Sequence, residues 1–587
     1  VDHPGQALTQ QTLGKAFQKQ GDPAAAREAF LTALRINEEV QAPYFRPPIL
    51  LELARLERGQ KDLQAALRRI EEAIRIVESI RYDLTDDRLR TAFLASRRSY
   101  YDFYVDLLME LDRQRPGQGY ADQALAKSEM ARARALLDLL TEARFVLTRW
   151  ISAELREKER DVRARLSQIQ RQLADELSKE PARPLVLREL EARRQETERE
   201  QEGIEARIKA ESPHYAELRY PSPLRREQIQ KLLQPDEALL EYSLGERGVY
   251  LFVVTAEGLT VHPLKPAPEK VGEDVEVLHA ALENGGRLTN AYLRTAHRLY
   301  EELVEPAQAE IRDKRRLLIA PDGALHYLAF EALLTREAQR ESDCHFLIED
   351  RAISYVPSAS VLSSLEAPAA GAGPRKRLIA FAPAYGPPSG SPKTTRGGAP
   401  DSALPDLEGA RQEVAAIAGL YPEADRAVYV GPQASRENFK RVAHAAFLHF
   451  AGHGRLDEEH PERSSLELTD GSLQVDDIFN LELSSDLVVL SACQTAGKVV
   501  TGEGLVGLTR AFLYAGTPSV MVTLWQAVDT SARDLMVQLY TNLGRQGDKA
   551  EALRQAKLTL IATGRRTGGR LARPYYWAPF ILVGKPR

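Results

Sequence analysis

The chain of 587 residues carries 79 basic and 84 acidic side chains, a formal net charge of -5, with 43% hydrophobic and 28% charged residues. That length fills about four domains, or fewer if one part is a repeat array, and the near-balanced charge offers no basic field for nucleic acid. Two cysteines, Cys344 and Cys493, exclude a disulfide framework and a cysteine-rich zinc site and suit a reducing compartment, so a cytoplasmic location is expected. No apolar run reaches the roughly 18 residues of a membrane span. The sequence opens mid-pattern at Val1, so an export signal or anchor ahead of it stays open.

From Leu8 to about Leu140 the pattern is one of helix pairs. Leu13, Gly14, Phe17, Ala26, Phe30 and Ala33 alternate small and large residues at the spacing by which the two helices of a tetratricopeptide repeat lock together, around the turn Gly21-Asp22-Pro23. Leu53, Ala54, Ala66, Ile70 and Ala73 repeat it 40 residues on, and a looser pair runs from Tyr100 to Leu140 around Arg115-Pro116-Gly117. A plain helical bundle is the alternative, and either predicts a scaffold or protein-binding surface, so the expected partners are a protein substrate and an activating protein bound there. From Ile151 to about Ser212 the charges are dense and mixed. Leu155, Val162, Leu166, Ile169, Leu173 and Leu177 form a heptad-like seam that Pro181 and Pro184 break, and Leu187, Leu190, Ile204 and Ile208 resume it, predicting an antiparallel helical hairpin that carries no chemistry.

Near Leu224 the character changes. Glu237–Ser243, Val249–Thr255 and Leu259–Leu264 read as an antiparallel entry sheet around Gly245 and Gly258. Short buried strands at Arg316–Ala320, Arg377–Ala382, Ala427–Val430, Ala446–Phe450, Asp486–Leu490 and Ser519–Thr523 then alternate with helices, the pattern of a largely parallel sheet. The Gly/Pro/Ser-rich stretch from Pro387 to Pro405 is expected to be a mobile surface loop. The organisation is therefore α plus α/β: helical repeats over 1–145, a charged helical hairpin over 146–223 and an α/β domain over 224–587.

Two of these strands carry the chemistry. FLHFAGHG ends in His453-Gly454, and DLVVLSACQ runs through Cys493. Neighbouring parallel strands empty into one crevice at their carboxyl ends, which would bring imidazole and thiol together. A free thiol is only a few per cent thiolate at neutral pH, so a nucleophilic cysteine needs a base, and His453 supplies one. The backbone N–H groups of Gly454 and Cys493 are expected on loops, where they can serve as oxyanion donors.

The segments PDGALHYLAFEALL (Pro321–Leu334), HFAGHG (His449–Gly454), LVVLSACQTA (Leu487–Ala496), GEGLVGLTRAFLYAG (Gly502–Gly516), VTLWQAVD (Val522–Asp529) and YYWAPFILVG (Tyr575–Gly584) resemble the CHAT domain, a caspase-like peptidase family of the separase and caspase clan often fused behind tetratricopeptide repeats. The resemblance covers about Leu224 to the C-terminus. It implies a caspase-like αβα sandwich, with a pseudo-subunit over about 224–370 and a catalytic part over about 371–587, and His453 and Cys493 as the catalytic dyad. Ser491 stands where related metacaspases place an aspartate that binds a basic residue, so no Arg/Lys preference transfers from that position. Ser491, Glu503 and Asp529 remain substrate-binding candidates, although an Asp that starts a helix is commonly an N-cap.

Gly502-Glu503-Gly504-Leu505-Val506-Gly507 matches a dinucleotide fingerprint literally, with Asp529 at a suitable distance. In that fold the glycines follow the strand directly, whereas eleven residues including Cys493 separate Leu490 from Gly502 here. No cofactor or metal is expected, and Cys344 has no convincing metal-ligating neighbours despite His345. The leading expectation is a cysteine endopeptidase (a hydrolase) in which the repeats recruit substrate or gate activity. A catalytically silent scaffold and a cysteine-dependent acyl or peptidyl transferase are the alternatives.

Overall fold

The computed structural model describes residues 3–39, 45–80, 87–142, ten positions between 152 and 172, 184–211, 224–283, 288–365, 376–385, 404–441, 445–457, 463–479, 481, 483–494 and 503–587. The chain divides into two compact units, Val1–Ala131 with Val146–Pro223 and Arg132–Phe145 with Leu224–Arg587.

In the first unit the helices α1 (His3–Gln20) and α2 (Pro23–Glu39), α3 (Arg46–Gly59) and α4 (Leu63–Ile80), and α5 (Asp87–Gln114) and α6 (Tyr120–Glu142) follow one another. Gly14 is the lock of the first pair: a methyl group added there would stand 2.5 Å from the Phe30 ring. Ala26, Phe30 and Ala33, and in the next pair Leu53, Ala54, Ala66, Ile70 and Ala73, are all fully buried. Leu13, expected in the same contact, is instead 41% exposed. It lies about 100° around the helix from Gly14, too far to share its neighbour's face.

The two turns of these pairs are built alike. Gly21 (φ 80°) and, 40 residues on, Lys61 (φ 65°) take the left-handed conformation that ends a helix. Asp22 and Asp62 follow, each side chain accepting a hydrogen bond from a backbone N–H three residues ahead at 3.0 Å, a typical N-cap. In the charged region, Pro184–Glu211 is one helix, and Leu155, Val162, Leu190, Ile204 and Ile208 are buried. The seam positions Leu166, Leu173 and Leu177 lie outside the described residues, as does the stretch 386–403 expected as a mobile loop.

The second unit is built on one sheet, which among the described residues has 13 strands. β1 (Glu237–Leu244), β2 (Val249–Thr255) and β3 (Leu259–Leu264) form the antiparallel meander, and β1 joins β4 (Arg316–Ala320) in parallel. β5 (Ala352–Tyr355), β6 (Lys376–Pro383), β7 (Arg426–Gly431), β8 (Ala445–Arg455), β9 (Ser465–Leu468), β10 (Gly471–Gln474), β11 (Leu487–Gln494), β12 (Ser519–Thr523) and β13 (Phe580–Gly584) complete it. The spatial order is β10-β9-β8-β11-β12-β13-β5-β4-β1-β2-β3, with β6 pairing β7 and β8.

Seven of the twelve pairings are parallel, so the sheet is mixed though mostly parallel. The antiparallel pair β12–β13 is the seam between two parallel blocks. β6, β7, β8, β11 and β12 run one way, and β13, β5, β4 and β1 the other. The carboxyl ends of the two blocks therefore open on opposite edges.

At the carboxyl ends of β1, β4 and β5 the crevice is filled by Arg132, the first residue of this unit. Its guanidinium donates to the carbonyls of Pro321 (2.5 Å), Ala320 (3.3 Å), Pro357 (3.4 Å) and Tyr242, and lies 3.4 Å from the fully buried Glu241. Arg132, expected among the repeats, thus counts with the sheet. Such long-range pairing leaves no local sequence signal.

Candidate active site

β8 and β11 are continuous apolar runs because both are interior strands covered on both faces. Phe450, Leu448, Leu487, Val488, Val489 and Leu490 are at most 2% exposed. Their register sets Val489 against His449, Ser491 against Ala451 and Cys493 against His453. Parallel partners in register lie on one face, and alternate residues of a strand share it, so these three rows form a single stripe. His453 and Cys493 occupy its carboxyl end. At their carboxyl ends the strands run five (β8) and four (β11) residues further than the sequence suggests: Cys493 and Gly454 are strand residues, not loop residues, and Gly454 is paired with both Leu466 of β9 and Gln494.

The His453 ring is fixed by what surrounds it. Nε2 lies 2.8 Å from the carbonyl oxygen of Pro405. A carbonyl can only accept, so Nε2 carries the hydrogen, and in the neutral ring the lone pair sits on Nδ1. Nδ1 is buried and has no hydrogen-bond partner among the described residues. The ring of Tyr385, just beyond β6, packs edge-on against the imidazole with centroids 4.6 Å apart. The Tyr385 hydroxyl accepts a hydrogen bond from His453 N–H at 2.9 Å and donates to the Glu467 carbonyl at 2.8 Å. This hydroxyl is also why residue 452 is glycine, since a Cβ there would lie 2.5 Å from it.

Below the dyad position, Ala451 and Ser491 face a small cleft whose walls also include Gly452, Ala527, Asp529 and Ala532, and Leu407, Gly409, Ala410 and Glu413 at the start of the helix Glu408–Ala418. Two carboxylates border it, with different commitments. Glu413 accepts at 2.8 Å from Nε2 of the fully buried His449, whose Nδ1 lies 3.1 Å from the Tyr540 hydroxyl. With that hydroxyl donating to Nδ1, all three buried groups are satisfied, and burial above all keeps Tyr540 protonated by raising its pKa. Asp529 is exposed at the mouth, and a methyl group on Gly409 would meet its carboxyl at 2.3 Å. It is the first residue of the helix Asp529–Gln546; Val528 is the N-cap and makes no side-chain cap bond. Asp529 therefore does not cap the helix, and its carboxylate is the one available to a ligand in this cleft.

Ser491 reaches this cleft; of the three substrate-binding candidates, the structure brings it together with Asp529, while Glu503 is described only as the backbone start of the helix Glu503–Tyr514. Cys344 lies elsewhere, buried, its thiol pushed up to about 12 mainly by desolvation, and so has little thiolate to react. Sequence reasoning missed Pro405, Tyr385, Glu413 and His449. Pro405 acts through its backbone, which leaves no mark on residue type, while His449 was visible in the HFAGHG motif, four residues before His453 and hence on its face of the strand.

An imidazole and a cysteine stand at in-register carboxyl-end positions of adjacent parallel strands, above a cleft, and the domain that carries them is caspase-like and peptidase-related. Residues 293–585 match the model of the CHAT domain, and the chain belongs to that family, with tetratricopeptide-like helices ahead of it. Among curated proteins it is similar to tetratricopeptide repeat protein 28 of Mus musculus (38% identity over 108 residues) and of Homo sapiens (32% over 108 residues). Those alignments span 18% of this chain and 4% of either relative's length. Among solved structures, a Saccharomyces cerevisiae separase–securin complex aligns with 99% of this chain and 49% of that chain at 11% identity and a TM-score of 0.38. The complex of Porphyromonas gingivalis RgpB pro- and mature domains aligns with 54% of this chain and 77% of that one at 12% identity and a TM-score of 0.29. No helix among the described residues is long and apolar enough to cross a membrane.

Proposed function

We propose that this chain is a cysteine endopeptidase that cuts protein substrates with Cys493 as nucleophile and His453 as base. The carrying observation is the tautomer of His453: Nε2–H is held by Pro405, which leaves Nδ1 as an unused acceptor on the ring that shares its register row with Cys493. The thiol passes its proton to Nδ1, and the thiolate attacks the scissile carbonyl carbon, forming a C–S bond and an oxyanion. Gly454 and Cys493, expected as the oxyanion donors, are paired ladder residues, so the oxyanion is not assigned to their N–H groups. The imidazolium then protonates the leaving amine as the C–N bond breaks, giving a thioester. A water molecule, deprotonated by His453, hydrolyses it and restores the thiol.

The cleft takes the side chain on the amino side of the cut. With Glu413 committed to His449, the free carboxylate of Asp529 selects a lysine or arginine there, and Ser491 adds a hydroxyl. The helix pairs recruit the protein substrate or an activating protein, as stacked helical repeats commonly do. The test is to map new N-termini by mass spectrometry in a protein mixture incubated with the wild type and with Cys493→Ala. Fragments that follow basic residues, and that vanish in the variant, are expected. A folded wild type that yields no fragment would point to a silent scaffold. Acyl groups transferred to added amines in preference to water would point to a transferase.

A further inference from the structure

The two groups that orient His453 come from separate parts of the chain, Tyr385 after β6 and Pro405 before the helix Glu408–Ala418, and a single carboxylate joins them. Asp406, next to Pro405, accepts a hydrogen bond from the Tyr385 backbone N–H at 3.3 Å. The same carboxylate takes a two-pronged contact from Arg411, Nη1 to Oδ1 at 2.9 Å and Nη2 to Oδ2 at 2.7 Å. Arg411 sits one helical turn further on and also holds Glu408 through Nε (3.0 Å) and Nη2 (2.6 Å). The fork uses all three guanidinium nitrogens, which fixes direction as well as distance.

We propose, resting on the peptidase reading above, that Asp406 and Arg411 are positioning residues that set the aim of His453, by holding the Pro405 carbonyl against Nε2 and the Tyr385 ring against the imidazole. Neither touches substrate or the reacting atoms. Three features separate this clamp from an ordinary surface ion pair. Its carboxylate bonds to one support of the ring, Tyr385, while its backbone continues from the other, Pro405. Its acid follows the accepting Pro405 carbonyl directly in sequence. Arg411 holds the Asp406 carboxyl below the usual carboxylate range, so it stays ionised at neutral pH. Because Arg411 is 26% and Asp406 44% exposed in their side chains, the pair adds little to folding, and its removal leaves the sheet intact.

Reactivity of Cys493 reads the clamp without any knowledge of substrate. In the full chain, iodoacetamide modification of the Cys493 peptide, followed by mass spectrometry from pH 4 to 9, reports the thiolate fraction that a well-aimed imidazole sustains. The wild type is expected to react well below the free-thiol midpoint of about 8.5. Asp406→Asn and Arg411→Gln should move that profile up by about one unit, and lower kcat on a cleaved peptide roughly 10- to 100-fold with KM little changed. Arg411→Lys, which keeps the charge but not the fork, should fall between. Arg441→Gln, which breaks the exposed Arg441–Glu437 pair, serves as the control and should leave the profile in place. A depressed wild-type profile that neither Asp406→Asn nor Arg411→Gln shifts would overturn the clamp while leaving the dyad standing. A wild-type profile already at the free-thiol midpoint would overturn the dyad, and the clamp with it.

Discussion

A histidine serves as base to a thiol only if its lone pair is on the correct nitrogen, and here a backbone carbonyl decides which nitrogen that is. Sequence shows His453 and Cys493 because each closes an apolar strand abruptly, and it shows Asp529 only as an acid at a helix start. The capping alternative fails because Val528 occupies the cap, which leaves the Asp529 carboxylate for a ligand. Asp529→Asn should therefore cut kcat/KM for peptides with lysine or arginine before the cut by about tenfold or more, while a neutral residue there is cleaved as before; one charge-assisted hydrogen bond has that worth. Equal loss on both peptides would remove Asp529 from specificity. A second residue sets a pH dependence of stability. His279 is 4% exposed, and burial pulls its pKa from 6.5 down to about 4. Between those values the unfolded chain binds a proton that the folded chain refuses, so stability is lost as pH falls from 6.5 towards 4. The loss should reach about 2 kcal/mol by pH 5, and His279→Phe should flatten that slope in chemical denaturation.

At the scale of elements, strands with a strong buried run read almost to the residue, as β2, β4 and β12 do. β5, β9 and β10 are four residues each, too short to carry a period. β13 is a clear apolar run, but its antiparallel placement beside β12 reverses the second block, and pairing direction is not written in either strand. The repeat helices were legible through small residues at contact points. Gly14 is the sharpest of these: Gly14→Leu should push α1 off α2, because even the first added carbon overlaps the Phe30 ring. Hydrogen exchange in the full chain should show amides of α1 and α2 losing protection, with β8 and β11 unchanged. Retained protection in α1 would show that the two helices do not need that close approach.

For the whole molecule, the division into units places a boundary inside α6. A chain begun at Leu224 would lack Arg132, whose guanidinium lies 3.4 Å from the fully buried Glu241, and breaking a buried pair from one side costs about 3–5 kcal/mol. Arg132→Met in the full chain should lower the free energy of unfolding by that amount, and a chain that starts at 132 and omits 146–223 should retain more of the sheet's stability than one that starts at 224. Unfolding midpoints equal to wild type in Arg132→Met would show that the crevice does not depend on this plug. Whether the repeats gate cleavage is accordingly better tested by altering their surface than by cutting them away.

The central claim is that Cys493 is a nucleophile because His453 serves it. A peptide ketone carrying lysine next to an electrophilic carbon, added to the full chain and followed by intact mass and peptide mapping, tests this directly. One adduct per chain is predicted, on Cys493 and not on the buried Cys344, forming about 100-fold or more slowly in His453→Ala. An adduct on Cys344, or equal labelling of Cys493 with and without His453, would contradict it.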